Sequence, residues 1–380
     1  MTMTTDKKSL GLYIHIPFCR QKCAYCDFCS VAGGSEELKG RYVAALCGLI
    51  EKWSAECKDH MVDTIYFGGG TPTTLDTYDL LKILEACHKN YAVARDAEIS
   101  IEANPATIDK KGLQMLRLAG FNRLSMGLQS TSDDELRALG RIHTFADFVS
   151  TYKDARSAGF DNISADVMFG IPLQTRKSYE KTLSDVISLD PDHISTYALK
   201  VEEGTPFGRL GDALILPDED EVADMYLTTA YTLEKAGYKK YEISNFSKEG
   251  RESRHNLRYW LRDEYLGFGP AAFSYFGGER FFYAPNIVSF AEGVFEVGER
   301  EKIDVGEAMT EYVMLRMRLK RGVELADFKK RFGKDFLEVY PALYNYEKSG
   351  HVEINDSICR FSDKGFLVSN SILSEILEFS

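Results

Sequence analysis

The sequence lacks the features of a membrane-spanning, exported or nucleic-acid-binding chain. It has no uninterrupted apolar stretch near 18 residues, and its first residues, "MTMTTDKKSLGLY", contain no apolar signal segment. Basic residues are in deficit, since 46 Lys and Arg stand against 58 Asp and Glu, a formal charge of −12. Phosphate binding needs the opposite balance, which argues against nucleic acid as the main partner. We therefore expect a cytoplasmic protein with no transmembrane segment.

Cysteine is present but unevenly distributed. Four of the eight cysteines fall within residues 19–29, "CRQKCAYCDFC", and the rest are scattered singly. In a reducing compartment such thiols are either free or bound to metal. Cys19, Cys23 and Cys26 follow the spacing C-x3-C-x2-C, which lets three thiolates converge on one centre. Structural zinc prefers four ligands, whereas three thiolates leave one iron of a cubane cluster open, and the residues alone leave both metals possible.

Six successive strand-then-helix units predict a parallel sheet with helical crossovers. The strands are expected at residues 12–16, 63–69, 98–104, 122–129, 162–170 and 193–199. Because a closed barrel needs eight units, the predicted fold class is α/β, with a partial (β/α)6 TIM-like barrel over residues 1–215. Residues 216–300 are predicted to extend the barrel and to lay Gly- and aromatic-rich segments against its mouth. Residues 301–380 are predicted to form a small winged-helix-like α+β module.

The alternation within these strands predicts which polar side chains face the barrel lumen. Glu102, Gln129 and Asp166 share the parity opposite to the apolar positions of their strands. Unpaired burial of such groups is costly. Either they pair internally, for example with Arg123, or the lumen holds a polar ligand at the C-terminal strand ends, where barrel sites lie.

The motif "CRQKCAYC" resembles the cysteine motif of the radical S-adenosylmethionine (SAM) superfamily. From about residue 11 onward, further segments resemble its oxygen-independent coproporphyrinogen oxidase-like branch: "YIHIPFC", "YFGGGTP", "IEANP", "NRLSMGLQS", "LGRIH", "DVMFGIP", "ISTYAL", "YEISNFS", "HNLRYW" and "YLGFG". The resemblance implies a [4Fe–4S] cluster on Cys19, Cys23 and Cys26, with SAM on the fourth iron and reductive cleavage of SAM to a 5′-deoxyadenosyl radical. It also implies these SAM contacts: Tyr13, Tyr25, Gly69, Gly70, Thr71, Glu102, Gln129, Arg141, Asp166, Ala198 and Phe273.

Two subfamilies of this branch share these motifs, a coproporphyrinogen III dehydrogenase and a heme chaperone. Three features favour the chaperone: the short segment before Tyr13, Phe28 where the dehydrogenase has a further cysteine, and "HNLRYW" at residues 255–260. The last motif makes His255 a candidate heme-iron ligand, since neutral imidazole is a common axial ligand. Its neighbours Asn256, Tyr259 and Trp260 are expected to orient His255 or to pack on a porphyrin.

The resemblance therefore implies a protein that binds heme and passes it to heme-accepting apoproteins, without coproporphyrinogen turnover. An electron donor such as flavodoxin or ferredoxin is the implied reductant, and peripheral membrane contact is compatible with the sequence. The alternative is a coproporphyrinogen III dehydrogenase of porphyrin biosynthesis, and a third hypothesis is a zinc-stabilised binding module. No catalytic residue is assigned.

Overall fold

The computed structural model describes residues 7–105 and 107–378. Its N-terminal part alternates strands and helices as the sequence predicts. The strands are β1 (Lys8–Ile16), β2 (Phe18–Cys19), β3 (Val31–Ala32), β4 (His60–Gly69), β5 (Val93–Ala103), β6 (Arg123–Gln129), β7 (Ile163–Phe169) and β8 (His193–Ala198). The helices are α1 (Glu36–Trp53), α2 (Thr77–Asn90), α3 (Lys110–Ala119), α4 (Asp133–Ala138), α5 (Phe145–Ser157), α6 (Arg176–Ser188) and α7 (Pro206–Leu210).

The remaining elements belong to the extension and the C-terminal module. The strands are β9 (Lys239–Lys240), β10 (Asn245–Ser247), β11 (Tyr265–Phe268), β12 (Phe273–Phe276), β13 (Glu279–Tyr283), β14 (Val297–Lys302), β15 (Val323–Glu324), β16 (Val352–Ile354) and β17 (Ile358–Phe361). The helices are α8 (Glu219–Lys235), α9 (Arg254–Leu261), α10 (Ile287–Ala291), α11 (Val305–Arg316), α12 (Leu325–Phe332), α13 (Phe336–Val339), α14 (Leu343–Lys348), α15 (Asp363–Leu367) and α16 (Ser369–Glu378).

One sheet of 12 strands runs through the barrel and its extension, in the order β14-β13-β12-β11-β1-β4-β5-β6-β7-β8-β10-β9. The six predicted strands form its parallel centre, which confirms the α/β fold class. A seventh parallel strand, which the sequence analysis did not include, comes from the extension: β11 pairs with β1, with Gly267 opposite Tyr13. The added strands β10 and β12 run antiparallel to their neighbours β8 and β11. The sheet therefore keeps two free edges and is an open barrel.

The apolar side chains at alternate positions of the strands pack on the helices. Leu12, Ile14 and Ile16 of β1 are fully buried and join a core built with the inner faces of α1 and α2. The first turns of the barrel helices are fixed by side-chain caps. Thr144 and Thr175 each form a reciprocal capping box at the start of α5 and α6. Because the apolar positions pack on the helices outside the sheet, the alternating polar positions of the same strands face the lumen.

The C-terminal module has an apolar core of its own. Its three strands pair antiparallel in the order β15-β17-β16, with α11, α12, α14 and α16 around them. The buried ammonium of Lys240 ties the module to the extension: it forms an ion pair with Asp363 at 3.5 Å and lies 4.2 Å from the ring centre of Phe366. Within the described residues, no helix is both long and apolar enough to cross a membrane.

Candidate functional site

A cavity of about 570 Å³ opens at the C-terminal ends of the parallel strands. Twelve of the 15 predicted site residues line it: Cys19, Cys23, Tyr25, Cys26, Gly69, Gly70, Thr71, Glu102, Gln129, Arg141, Asp166 and Ala198. They come from six of the parallel strands or the loops that follow them, so only the folded barrel brings them together. Their roles toward SAM and the cluster stay predictions, but their common location is observed.

Backbone hydrogen bonds fold the cysteine loop back over the mouth of the cavity. β2 pairs with β3, which places Cys19 opposite Ala32 at the base of the loop. At its tip, the Ala24 N–H donates to the Leu139 carbonyl and the Ala24 carbonyl accepts from the Phe207 N–H, both at 3.0 Å. Two neighbouring loops of the barrel therefore hold the segment that carries the three thiols.

The thiols lie among hydrogen-bond donors. Thr71 Oγ1 donates to Cys19 Sγ at 3.6 Å, and Arg141 Nη1 donates to Cys23 Sγ at 3.4 Å. A Cβ atom at Gly70 would lie 3.0 Å from Cys19 Sγ, so glycine is needed for this approach. Burial raises the pKa of the Cys19 and Cys26 thiols, and a bound metal would favour their thiolate forms.

The chemistry of this donor set fits an iron–sulfur cluster. Over the described part of the chain, no group of three or more His, Cys, Asp or Glu side chains is placed to hold one metal ion. A cubane offers a separate iron to each thiolate, and donors aimed at the sulfurs are a usual part of such sites. The three cysteines therefore fit the cluster that the family resemblance implies.

Carboxylates line the lumen below the cysteine loop. Tyr66 Oη donates to Glu102 Oε1 at 2.8 Å, and the Gly69 N–H donates to Oε2 at 3.3 Å. Burial raises the pKa of Glu102 to about 7, against the opposing effect of the Tyr66 hydrogen bond. Burial also raises the pKa of Asp166, while the Arg123 charge opposes the shift.

Internal hydrogen bonds satisfy part of this lumen but leave Arg123 incompletely paired. Arg123 is 1% exposed, yet its Nε and Nη1 atoms have no hydrogen-bond partner in the described structure. It forms no ion pair with Glu102 or Asp166 among the salt bridges of the described residues. The carboxylates therefore have partners within the protein, whereas a buried guanidinium with two open donors favours a polar ligand in the lumen.

Gln129 reaches the cavity through an irregularity of the sheet. The pairing of β6 with β7 shifts register between Gly127 and Gln129, and Gln129 adopts a positive φ of 72°. Its side chain is held from the opposite wall, because Tyr197 Oη donates to Gln129 Oε1 at 2.8 Å. The parity argument placed this residue correctly, although it did not foresee the register shift.

Two predicted SAM contacts lie outside the cavity wall. Tyr13 is packed beneath it, with its ring stacked on Tyr66 at 6.3 Å and its hydroxyl 3.1 Å from His15 Nδ1. Phe273 lies on β12, is 49% exposed and stacks on Phe282 at 4.9 Å. In this arrangement, neither side chain contributes to the cavity surface.

His255, predicted as a heme-iron ligand, occupies a buried and fully hydrogen-bonded position. Its side chain is fully buried, with Nδ1 at 2.8 Å from Thr64 Oγ1 and Nε2 at 2.8 Å from Tyr259 Oη. Both ring nitrogens are therefore hydrogen-bonded within the protein, which favours a structural role. Burial lowers the pKa of His255 to about 3, so the ring is neutral. Of this motif, Asn256 lines the cavity instead.

Sequence reasoning left several lining residues without a role. They are Tyr66, Asn104, Ser125, Ser195, Tyr197, Ser244 and Asn245. Alternation along β4 to β8 could have identified the lining residues on those strands or directly after them. Asn104, for example, shares the parity of Glu102. Ser244 and Asn245 give no such signal, because they arrive with the antiparallel β10.

The comparisons with known proteins cover both parts of the chain. A family model described as the radical SAM superfamily matches residues 13–186, and a HemN C-terminal domain model matches residues 303–368. A curated relative named heme chaperone HemW, from Bacillus subtilis, is 35% identical over 373 residues, which are 96% of this chain and 98% of the relative. HemW of Escherichia coli is 32% identical over 377 residues, covering 97% and 98%. The fold is similar to that of coproporphyrinogen III oxidase HemN from Escherichia coli, with a TM-score of 0.85 over 97% of this chain and 89% of that one, at 24% identity.

Proposed function

This chain belongs to the heme chaperone HemW family of the radical SAM superfamily, and we propose that it binds heme and delivers it to heme-accepting proteins. The observation that carries the proposal is the length of the match. The Bacillus subtilis and Escherichia coli relatives named as heme chaperones align with 96% and 97% of this chain, a span that includes the barrel, the extension and the C-terminal module. The shared features are thus not limited to a cofactor-binding core.

We also propose that Cys19, Cys23 and Cys26 hold a [4Fe–4S] cluster and that SAM occupies the cavity beside it. When bound, the pair supplies reductive one-electron chemistry. The chain itself supplies a cation at the mouth, Arg141, suited to a carboxylate. Buried Glu102 and Asp166 supply acceptors for hydroxyl and ammonium groups deeper in the lumen.

The partners we propose are heme, acceptor apoproteins and a small electron carrier such as flavodoxin or ferredoxin. No disulfide joins any of the eight cysteines, all of which lie in the described part of the chain. Such a set suits a reducing compartment, because exposed thiols in an oxidising one are prone to pair. We therefore propose that the protein acts in the cytoplasm.

Hemin titration of the purified full chain tests the binding part of this proposal. We expect a saturable change of the Soret band, both with and without anaerobic reconstitution of the cluster. An unrelated protein without a heme site, treated identically, gives the reference for nonspecific hemin uptake. A linear, unsaturated absorbance increase at every protein concentration would refute heme binding.

The same preparation discriminates the chaperone from a coproporphyrinogen III dehydrogenase. The reconstituted protein is incubated with coproporphyrinogen III, SAM and a reductant under anaerobic conditions. We expect the substrate to be recovered unchanged. Formation of protoporphyrinogen in more than one turnover per chain would contradict the proposal and establish the enzyme instead.

A further inference from the structure

We propose that Asn104 is a positioning residue that sets the reduction potential of the cluster by holding donors against two of its cysteine sulfurs. The inference rests on the proposed cluster at Cys19, Cys23 and Cys26. Asn104 follows β5 in the segment "IEANP" and lines the cavity. It is not among the SAM contacts that the family resemblance implies.

Four hydrogen bonds connect Cys23 to Cys19 through Asn104. Arg141 Nη1 donates to Cys23 Sγ at 3.4 Å, and Arg141 Nη2 donates to Asn104 Oδ1 at 2.6 Å. Asn104 Nδ2 then donates to Thr71 Oγ1 at 2.9 Å, and Thr71 Oγ1 donates to Cys19 Sγ at 3.6 Å. Two cluster thiols are thus joined by one continuous chain of side chains.

The direction of this chain follows from what each group can donate. Arginine has only donors, so Asn104 must turn its carbonyl oxygen toward Arg141. The amide nitrogen then faces Thr71 and occupies a lone pair of its hydroxyl. The hydroxyl proton remains free to point at Cys19. A reversed amide would set two donors against each other at Arg141 and would draw the Thr71 proton away from Cys19.

The local structure holds Asn104 in place without a ligand. Its backbone carbonyl accepts from Thr107 N at 3.1 Å and from Thr107 Oγ1 at 2.6 Å. Pro105 restricts its backbone conformation. On the facing strand, Gly127 leaves the space that the pair needs, because a Cβ there would lie 3.0 Å from Arg141 Nη2 and 3.1 Å from Asn104 Oδ1. The amide is therefore preorganised.

Hydrogen bonds to cysteine sulfurs are among the factors that set the potential of iron–sulfur clusters. They stabilise the reduced state more than the oxidised one, because the reduced cluster carries one more negative charge. Removing Asn104 leaves Thr71 and Arg141 free to turn away from the sulfurs. The midpoint potential should then become more negative.

The test is a potentiometric titration of the anaerobically reconstituted, SAM-free full chain. For Asn104→Leu, we expect at least a tenfold fall in the ratio of reduced to oxidised cluster at a fixed potential, which is about 59 mV for a one-electron couple. Thr71→Val, which removes one hydroxyl at nearly constant volume, should shift the potential in the same direction by less. Thr71→Ser keeps the hydroxyl and should retain the wild-type potential.

A double-mutant comparison tests whether Asn104 acts through Thr71. The shift of Asn104→Leu with Thr71→Val should be smaller than the sum of the two single shifts. Additive shifts, or a wild-type potential in Asn104→Leu with full iron content, would overturn the inference. If Asn104→Leu binds no cluster, equal potentials in Thr71→Val and Thr71→Ser would overturn it. A wild-type chain that binds no cluster would instead refute the proposed cofactor.

Discussion

Replacing His255 with alanine should destabilise the protein without weakening its affinity for hemin. The imidazole is fully buried and bridges Thr64 Oγ1 and Tyr259 Oη, each at 2.8 Å. Its loss leaves two buried hydroxyls without this partner. Each such group costs about 1–3 kcal/mol, and the vacated volume adds to that. We therefore expect a loss of about 3–5 kcal/mol in the free energy of unfolding.

The assay combines urea unfolding with hemin titration of the folded fraction. Tyr259→Phe is the matched control, because it removes one hydroxyl and leaves only one imidazole nitrogen unpaired. It should cost about 1–2 kcal/mol. Both variants should keep the wild-type hemin dissociation constant once folded monomer has been isolated. A stable His255→Ala protein whose hemin affinity falls tenfold or more would refute this reasoning and restore His255 as a ligand.

Three further predictions concern the cluster site and a buried carboxyl. Cys23→Ala should lose the brown chromophore and its iron and sulfide, whereas Cys47→Ala should keep them; full iron content in Cys23→Ala would show that the ligand set is wrong. Gly70→Ala should lower cluster occupancy severalfold in iron analysis, because its Cβ would lie 3.0 Å from Cys19 Sγ, and unchanged occupancy would contradict that close approach. Burial raises the pKa of Glu242 to about 7, above about 4.3 in the unfolded chain, so the folded state retains a proton that the unfolded state releases as the pH rises from about 4.3 to 7. Stability should therefore fall over that window by about 3 kcal/mol more in wild type than in Glu242→Gln, and parallel pH profiles in urea unfolding would rule this out.

Strand periodicity predicted the part of the fold that depends on burial on one side. The six parallel strands and the inward parity of Glu102 and Asp166 follow from alternation, because apolar positions must meet the helices. The seventh parallel strand, β11, was missed. Its four residues, "YLGF", are too short and too glycine-rich to show alternation, and their pairing with β1 is a contact between residues far apart in the chain.

The same distinction between local sequence pattern and tertiary packing decides which site residues could be predicted. The cysteines and the "GGGTP" segment lie close together in sequence, so local spacing is enough to propose them. The location of His255 depends on how α9 packs against β4, which no local pattern reports. Its motif suggested a ligand, while the packing supplies partners for both nitrogens. The location of Phe273 outside the cavity wall could not be predicted for a similar reason, since it depends on the antiparallel addition of β12.

The central claim is that the protein hands heme to an acceptor. The most direct measurement mixes hemin-loaded, reconstituted protein with a heme-free b-type cytochrome domain and follows the absorbance of the acceptor at increasing acceptor concentration. A chaperone that docks on its acceptor predicts a transfer rate that rises with acceptor concentration above the rate of spontaneous hemin loss. A transfer rate fixed at that spontaneous rate, whatever the acceptor concentration, would contradict the account.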